Sequence, residues 1–391
     1  MYTLRPYQKE AADKMLWFFE SKHKDRPIVV APTGSGKSIM IGNVADRLDS
    51  SGILILQPSV ELLKQNYEKY VSYGNEASIY SASAGEKTIG KVTFATIGSI
   101  YKKPGLFKHK KQILIDECHT VPPKRGSMYK IFLDKLEKDV KVIGLTASPF
   151  RGKTYMDPFT GRPYSQVNLL TRERPKFFNK FLHITQIDEM FSQGFLTPIN
   201  YIEMAWASGK LQINSTGREY TAESIREVAK TEQLLEKIPA VCESSIKKGQ
   251  KHNLVFVHDI ENAEWLASIT KSAACVHSKM KMKDRTEILR KFKAGEIKTV
   301  YNIGVLTTGF DFPELDTIIM ARPTLSLGLY MQMIGRGIRL AEGKKTCSVV
   351  DMCGNVARFG KIEDMRFGKN HKDQWALFGG DKELTNTPIR D

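Results

Sequence analysis

Short apolar runs alternate with longer amphipathic stretches along most of the chain. In its first half the runs predict five strands, which are Ile28–Ala31, Ile53–Gln57, Val92–Thr96, Ile113–Asp116 and Val142–Leu145. Between them, Ser38–Leu48 and Val60–Tyr70 place apolar residues at helical spacing. Continuous apolar strands that alternate with helices indicate a parallel sheet covered on both faces. The first half of the chain is therefore predicted to be an α/β domain.

The alternation stops at Arg151 and resumes after about Lys180. The interrupted segment is rich in Pro, Gly, Arg and aromatic residues without a clear period, and it is read as a functional loop or insertion, or as a partly disordered surface excursion. The later predicted strands are Ile199–Glu203, Leu254–His258, Ala274–His277, Thr299–Ile303, Thr317–Met320 and Ser348–Asp351. Asp284–Lys293 is predicted to be helical. A second α/β domain is therefore expected.

Charge and cysteine content narrow the class of protein. The 391 residues include 59 Lys+Arg and 43 Asp+Glu, a net charge of +16 that favours a polyanionic partner, although a solvated basic surface is the simpler alternative. The five cysteines have no C-x-x-C spacing, so neither a disulfide framework nor a zinc site is indicated. Reduced thiols and a cytoplasmic location are expected. No apolar run is long enough to span a membrane.

The segment Ala31–Ser38 reads A-P-T-G-S-G-K-S and lies between a predicted strand and a predicted helix. That context is typical of a phosphate-binding loop, although the general template begins with Gly where this chain has Ala31. Lys37 is expected to reach the β- and γ-phosphates of ATP, and Ser38 is expected to bind Mg²⁺. A Gly-rich strand–helix turn is the alternative. The candidate nucleotide-binding residues here are Thr33, Gly34, Ser35, Gly36, Lys37 and Ser38.

Asp116 and Glu117 end an apolar strand, where side chains face the ligand crevice of a parallel sheet. Asp116 is expected to hold Mg²⁺ through its water shell, and Glu117 to orient and activate the attacking water. Two adjacent acids that merely cap the next helix are the alternative.

The sequence Asp116-Glu117-Cys118-His119 resembles the D-E-x-H box of superfamily 2 helicases. Other segments of the chain resemble further motifs of that superfamily and follow its order. They are Leu4–Gln8, Gln57–Ser59, Thr96–Ser99, Thr146–Arg151, Val255–Asp259, Thr307–Asp311 and Gln332–Arg339. The resemblance covers about residues 2–355, and the ordered set is far more specific than any single motif.

This resemblance implies two tandem RecA-like domains of the P-loop NTPase type, with parallel sheets and a cleft between them. The expected bounds are residues 1–190 and 191–360, followed by a C-terminal tail at 361–391 that is read as a tail or a small docking segment. The implied cofactors are ATP and Mg²⁺. Such a chain is expected to be monomeric.

The resemblance also assigns roles around the nucleotide. Gln8 is expected to read the adenine with Arg5 nearby, unless Gln8 is only an exposed polar residue of a helix at Tyr7–Phe19. Asp311 is expected to contact the ribose, and Gly309 to allow close approach near the γ-phosphate. The catalytic set implied in all is Lys37, Asp116, Glu117, Gln332, Arg336 and Arg339. For the two arginines, which would reach across the cleft to the γ-phosphate, a basic helix face is the alternative.

Nucleic-acid contacts are expected at the tops of both domains. The implied residues are Pro58, Ser59, Thr96, Gly98, Thr307 and Thr308. Lysine clusters at Lys102–Lys111 and Lys279–Lys293 are expected to add long-range attraction, unless they are only solvated faces. Coupling between the nucleotide site and nucleic-acid binding is expected to involve His119, Thr146 and Ser148. A structural histidine is the alternative for His119.

Within the superfamily, the chain is most similar to RadD-like DNA-repair helicases. The shared segments are L-R-P-Y-Q at Leu4–Gln8, G-F-L-T-P at Gly194–Pro198, Val305–Asp311, Arg322–Thr324 and Gly335–Leu340. Members of that family carry a cysteine-rich C-terminal region that this sequence does not show. The resemblance implies an ATP-dependent helicase or translocase on single-stranded or branched DNA in repair, recombination or replication, with single-strand-binding or recombination proteins as candidate partners. The alternatives are a strand-remodelling or annealing ATPase, an RNA helicase, an ATP-switched clamp, or the motor subunit of a restriction complex.

Overall fold

The computed structural model describes residues 3–48, 52–159, 161, 163–206, 208–216, 218–306 and 311–388. The chain divides into two compact units. The first comprises residues 1–151 and 168–186, and the second comprises residues 152–167 and 187–391. The main division thus falls between residues 186 and 187, and a short earlier segment groups with the second unit.

The first unit is built on an eight-stranded sheet. Its strands are β1 (Pro27–Val30), β2 (Ile53–Gln57), β3 (Ser78–Ser81), β4 (Glu86–Lys87), β5 (Val92–Thr96), β6 (Gln112–Ile115), β7 (Lys141–Thr146) and β10 (Lys180–Ile184). Their order across the sheet is β10-β1-β7-β6-β2-β5-β3-β4. All neighbours are parallel except β3 and β4. The five strands predicted in this half all belong to this sheet, so the α/β prediction is confirmed.

Helices cover this sheet and bury its apolar runs. They are α1 (Pro6–Glu20), α2 (Lys37–Arg47), α3 (Val60–Val71), α4 (Ile97–Ile100) and α5 (Met128–Leu133). The core between sheet and helices includes Phe18 from α1, Met40 from α2 and Leu63 from α3, together with Phe94 from β5. Every residue of β1 and β2 is buried. Burial on both faces is what the continuous apolar pattern of these strands indicates.

A two-stranded sheet occupies the segment where a loop or insertion was expected. It consists of β8 (Phe150–Met156) and β9 (Pro163–Leu169). The short connection at 157–162 requires the strands to run antiparallel, because parallel strands need a much longer crossover. We call this element the hairpin.

The second unit is built on a six-stranded, fully parallel sheet. Its strands are β11 (Ile199–Glu203), β12 (Asn253–Phe256), β13 (Ala273–His277), β14 (Thr299–Ile303), β15 (Thr317–Met320) and β16 (Cys347–Asp351), in the order β11-β16-β15-β12-β14-β13. Its helices are α6 (Ile187–Ser192), α7 (Ala222–Thr231), α8 (Leu234–Lys247), α9 (Ile260–Ile269), α10 (Met282–Lys293), α11 (Leu327–Ile334) and α12 (Asn355–Phe359). All six strands predicted in this half lie in this sheet.

The segment expected to be a tail contains regular structure. Strands β17 (Met365–Lys369), β18 (Trp375–Gly379) and β19 (Lys382–Glu383) form an antiparallel sheet. Arg366 fastens this sheet to α6, with nitrogen–oxygen distances of 2.7 Å to Asp188 and 2.8 Å to Glu189. Met365 and Leu377 are fully buried. This sheet is therefore an integral part of the second unit.

Two further observations concern the helices and the cysteines. None of the helices in the described part of the chain combines the length and the apolar character needed to cross a membrane. All five cysteines are free thiols, and only Cys275 is partly exposed. Burial raises the pKa of the Cys118, Cys347 and Cys353 thiols, so these side chains serve as small apolar groups of the core.

Candidate active site

The predicted motifs of the first unit leave its sheet at neighbouring points of one edge. Val30 of β1 pairs with Thr146 of β7, and Gly144 of β7 pairs with Ile115 of β6. Because these strands are parallel, the segments that follow them share the carboxyl edge of the sheet. The fold therefore brings together the phosphate loop, the Asp116-Glu117 pair and the Thr146–Ser148 segment.

The loop at Ala31–Ser38 has the backbone shape that a phosphate requires. Gly34 and Gly36 have φ angles of 85° and 80°, and α2 begins immediately afterwards at Lys37. A Cβ atom on Gly36 would lie 2.5 Å from Nε2 of Gln8, so a larger residue would displace the Gln8 amide and be strained at this φ angle. The buried Ser35 hydroxyl has no hydrogen-bond partner within the described residues. The loop thus presents a helix N-terminus to an anion.

The start of α1 is attached to this loop. Gln8 donates from Nε2 to the Ser35 carbonyl at 2.8 Å, and the Tyr7 hydroxyl donates to the same oxygen at 3.0 Å. The Arg5 backbone N–H donates to Oε1 of Gln8 at 2.9 Å. Gln8 is therefore a buried residue that holds the phosphate loop, rather than the exposed helix residue considered as its alternative. Adenine reading by Gln8 and Arg5 stays a prediction.

The side chains predicted to act on the γ-phosphate form one linked row in the first unit. Nζ of Lys37 lies 3.3 Å from Oε1 of Glu117, and Oε2 of Glu117 lies 3.3 Å from Nδ1 of His119. Nδ1 of His119 lies 2.9 Å from Oγ1 of Thr146, which also accepts from the Ser148 backbone N–H at 3.1 Å. The row joins two of the catalytic candidates, Lys37 and Glu117, to all three coupling candidates.

Glu117 is held ionised in this row. Burial by itself would raise the pKa of its carboxyl group, but the Lys37 ammonium and the His119 ring outweigh burial and hold the pKa below its usual range. Glu117 has a φ angle of 46°, in the left-handed region that residues with a Cβ atom rarely adopt. A charged carboxylate on a strained turn fits a group that orients a water molecule.

A residue missed by the sequence analysis joins the two predicted Mg²⁺ ligands. Asn66, buried on α3, donates from Nδ2 to Oδ2 of Asp116 at 2.9 Å. The Ser38 hydroxyl donates to Oδ1 of Asn66 at 2.6 Å. Burial and the neighbouring charge of Glu117 raise the pKa of Asp116 above its usual range. The only signal in the sequence was an amide within the apolar stripe of a predicted helix.

Arg151 fixes the turn that carries the Asp116–His119 box. Its guanidinium donates to the carbonyl of His119 and, at 2.9 Å, to the carbonyl of Val121. The same group pairs with the carboxylate of Glu173 at 2.8 Å. Arg151 is the last residue of the T-A-S-P-F-R segment, so this motif and the D-E-C-H box are joined by backbone as well as side-chain contacts.

The predicted nucleic-acid residues of the first unit lie at the ends of β2 and β5. Ser59 caps α3, because its Oγ accepts from the Leu62 backbone N–H at 3.3 Å. Oγ1 of Thr96 lies 3.0 Å from Oγ of Ser81 and 2.9 Å from Oγ of Ser99. A cluster of hydroxyl groups on a sheet edge suits phosphate oxygens.

Three further residues complete this edge. Pro58 is half-buried between β2 and α3, and Gly98 has open space around the position of a Cβ atom. Gln57 was not proposed as a site residue. Its buried amide has no hydrogen-bond partner among the described residues, for either the oxygen or the nitrogen.

The second unit places Gln332 on α11, and Arg336 and Arg339 directly after that helix. Gln332 is half-buried, and Arg336 is buried. Arg339 forms an ion pair with Asp311, the predicted ribose contact. Burial lowers the pKa of Arg339, while the charge of Asp311 opposes that effect. Three predicted residues, Thr307, Thr308 and Gly309, lie outside the described residues.

Two family models match this chain. Residues 1–151 match the family described as type III restriction enzyme, res subunit. Residues 230–341 match the helicase conserved C-terminal domain. The first match covers the phosphate loop and the D-E-C-H box, and the second covers the segment with Gln332, Arg336 and Arg339.

Curated relatives align over most of the chain. The protein of Saccharomyces cerevisiae named as an ATP-dependent helicase, IRC3, is 25% identical over 90% of this chain and 52% of its own length. Its namesake in Schizosaccharomyces pombe is 27% identical over 91% of this chain and 58% of its own length. The chain thus spans little more than half of these relatives. The DNA 3'-5' translocase XPB2 of Sulfurisphaera tokodaii is 25% identical over 86% of this chain and 78% of its own length.

Solved structures share the fold. A fragment of an HsdR subunit of a type I restriction enzyme from Vibrio vulnificus covers 92% of this chain and 66% of its own, with 20% identity and a TM-score of 0.64. The match to the type ISP restriction-modification enzyme LlaBIII bound to DNA covers 90% of this chain and 28% of that enzyme's chain, with 15% identity and a TM-score of 0.63. The match to Saccharomyces cerevisiae Dbp5 bound to RNA covers 90% of this chain and 84% of the Dbp5 chain, with 17% identity and a TM-score of 0.58. The prediction of two RecA-like domains with parallel sheets is confirmed.

Proposed function

We propose that this chain, which matches a restriction-enzyme res-subunit family over residues 1–151 and the helicase conserved C-terminal domain over residues 230–341, is a DNA-stimulated ATPase of superfamily 2 that translocates along or unwinds DNA. The observation that carries the proposal is the row from Lys37 through Glu117 and His119 to Thr146. It links the residues suited to the γ-phosphate with the segment suited to coupling.

The donor groups of the first unit fit ATP and Mg²⁺. Gly34 and Gly36 open the loop for phosphate oxygens, and the Ser35 hydroxyl is an unused buried donor. The Ser38 hydroxyl and the Asp116 carboxylate, joined through one amide, are oxygen ligands of the kind that Mg²⁺ takes. Bound Mg²⁺ would neutralise charge on the phosphates during phosphoryl transfer. Glu117 would orient and activate the attacking water by accepting its hydrogen bond.

The second unit would contribute to the same nucleotide. Arg336 and Arg339 are planar, permanently charged donors suited to phosphoryl oxygens, and Gln332 precedes them on α11. We expect hydrolysis to be fast only when both units bind one ATP, so that nucleic-acid binding and turnover are coupled. An arginine of this kind is worth about 10³–10⁵ in rate.

DNA is favoured over RNA by the translocase XPB2 among the relatives and by the RadD-like segments of the sequence. The net charge of +16 suits either polyanion. We propose that the hydroxyl cluster of Ser81, Thr96 and Ser99, together with Ser59, binds the DNA backbone. A role in repair, recombination or replication, with single-strand-binding or recombination proteins as partners, follows from the RadD-like resemblance. Dbp5 bound to RNA makes an RNA helicase the alternative.

Steady-state ATP hydrolysis tests this proposal. The rate is measured without nucleic acid and then with single-stranded DNA, duplex DNA or RNA added. We expect DNA to raise kcat at least tenfold, and Glu117→Gln to abolish the increase while ATP still binds. A larger increase with RNA would favour the alternative. Measurable DNA binding with no turnover under any condition would refute the ATPase and leave an ATP-switched clamp. Turnover on DNA without unwinding would favour a strand-remodelling or annealing ATPase.

A further inference from the structure

The hairpin follows closely after the Thr146–Ser148 segment, and contacts with the rest of the protein hold its base in place. Phe150 at its base is buried, and Arg151 fastens the base to the turn of the D-E-C-H box. On β9, Ser165, Val167 and Leu169 are buried in alternation. The backbone N–H of Asn386 donates to the Val167 carbonyl at 2.6 Å. The base of the hairpin is therefore fixed by packing and hydrogen bonds.

The tip of the hairpin is shaped by one aspartate. The Asp157 carboxylate accepts from the Phe159 backbone N–H at 2.9 Å, and the Asp157 carbonyl accepts from the Gly161 N–H at 2.9 Å. Gly161 has a φ angle of 65°, which suits glycine. The Phe159 ring that this turn presents is 95% exposed, and the Met156 side chain is 60% exposed. A defined turn thus presents an aromatic ring to solvent.

The outward face of the hairpin is also suited to a polyanion with flat bases. The rings of Tyr155 and Tyr164 stack across the two strands, with centroids 5.7 Å apart and an interplanar angle of 20°. Nζ of Lys153 lies 5.2 Å from the centroid of Tyr155. Aromatic rings give bases a stacking surface, and a lysine beside them gives a phosphate a positive charge. An apolar protein partner would not need this combination of cation and stacked rings.

We propose that the hairpin is a second nucleic-acid contact of this chain, and that Phe159 stacks on the terminal base pair where duplex DNA meets single strands. The Tyr155–Tyr164 pair and Lys153 bind the adjoining strand. Since Arg151 joins the base of the hairpin to the D-E-C-H turn, the contact is attached to the motif that senses the nucleotide. This inference rests on the proposed function, because it assumes a DNA substrate.

A forked DNA with 2-aminopurine at the junction base pair tests the contact without requiring turnover. We expect the protein to change the fluorescence of the junction base, Phe159→Ala to abolish that change, and Phe159→Trp to retain it. Fork affinity should fall about tenfold in Phe159→Ala, as expected when one base–aromatic stack is lost. Affinity for single-stranded DNA and its stimulation of ATP hydrolysis should stay within about twofold of the parent.

Trp265→Ala is the matched control, since Trp265 is a 43% exposed aromatic residue on α9. It should leave fork binding and junction fluorescence unchanged. Equal fork affinity and fluorescence for Phe159→Ala and the parent would overturn the hairpin proposal, as would a parent that leaves the junction base unperturbed. If the parent protein shows no DNA-stimulated hydrolysis at all, the proposed function is refuted instead. The fluorescence measurement would still test whether the hairpin contacts the junction base.

Discussion

Replacing Asn66 by Ala should slow ATP hydrolysis without unfolding the protein. The variant removes the amide that joins Ser38 to Asp116, and it leaves a buried carboxylate with one donor fewer. Hydrogen bonds to charged groups contribute about 1.5–3 kcal/mol. If that amount is lost from the positioning of Asp116, kcat falls about tenfold to a hundredfold, since about 1.4 kcal/mol corresponds to a factor of ten. The apparent affinity for Mg²⁺ should weaken as well.

The assay is steady-state ATP hydrolysis at saturating DNA over a Mg²⁺ titration, with thermal unfolding measured in parallel. Asn43→Ala on α2 is the control, because the half-buried Asn43 amide accepts a long hydrogen bond, at 3.4 Å, from the exposed Arg47 side chain and lies away from Asp116 in the sequence. A kcat for Asn66→Ala within twofold of the parent at every Mg²⁺ concentration would refute the reasoning. A drop that follows thermal unfolding would assign Asn66 to stability rather than to positioning.

Three further predictions concern other parts of the molecule. Gly337→Ala places a Cβ atom 2.3 Å from Sγ of Cys347, so denaturant unfolding should show a loss of about 1–3 kcal/mol, whereas Gly209→Ala has open space and should be neutral. Burial, aided by neighbouring arginines, lowers the pKa of His258 to about 4. Stability should therefore fall as the pH drops from 6.5 towards 4, and His258→Gln should flatten that slope. Arg151→Gln should lower DNA-stimulated hydrolysis at least fivefold in the same ATPase assay, because the D-E-C-H turn loses its guanidinium contacts.

The sequence pattern predicted most of the parallel strands, but it missed the parallel strands β3 and β10 and all of the antiparallel ones. Strands such as β2 are buried on both faces, so their residues form continuous apolar runs. The hairpin strands and β17 bury one face only and alternate polar with apolar residues, as Met365–Lys369 does. That alternation is short and includes Gly, Lys and Arg, so a search for apolar runs passes over it.

Sequence reasoning named site candidates where a motif is contiguous, and it missed a residue whose position depends on a distant contact. The phosphate loop and the D-E-C-H box are contiguous, whereas Asn66 meets Asp116 from a helix fifty positions away. Charge runs were also a poor guide to surfaces. Lys110, within one predicted basic cluster, is buried and donates to the carbonyls of Gly90 and Lys91 at 2.5 and 2.7 Å. Burial lowers its pKa to about 8, so it is a structural amine.

The left-handed backbone at Glu117 places two requirements in conflict. Relief of backbone strain favours glycine at this position, whereas ATP hydrolysis requires the carboxylate. That conformation raises the free energy of a residue with a Cβ atom by about 1–2 kcal/mol, whereas glycine adopts it without this cost. Glycine at this position would relieve the strain, but it would lose the carboxylate together with its ion pair to Lys37. Any lineage of this chain that no longer needs ATP hydrolysis is free to drift the same way. An acidic residue kept at this position would therefore mark a relative that still depends on nucleotide turnover.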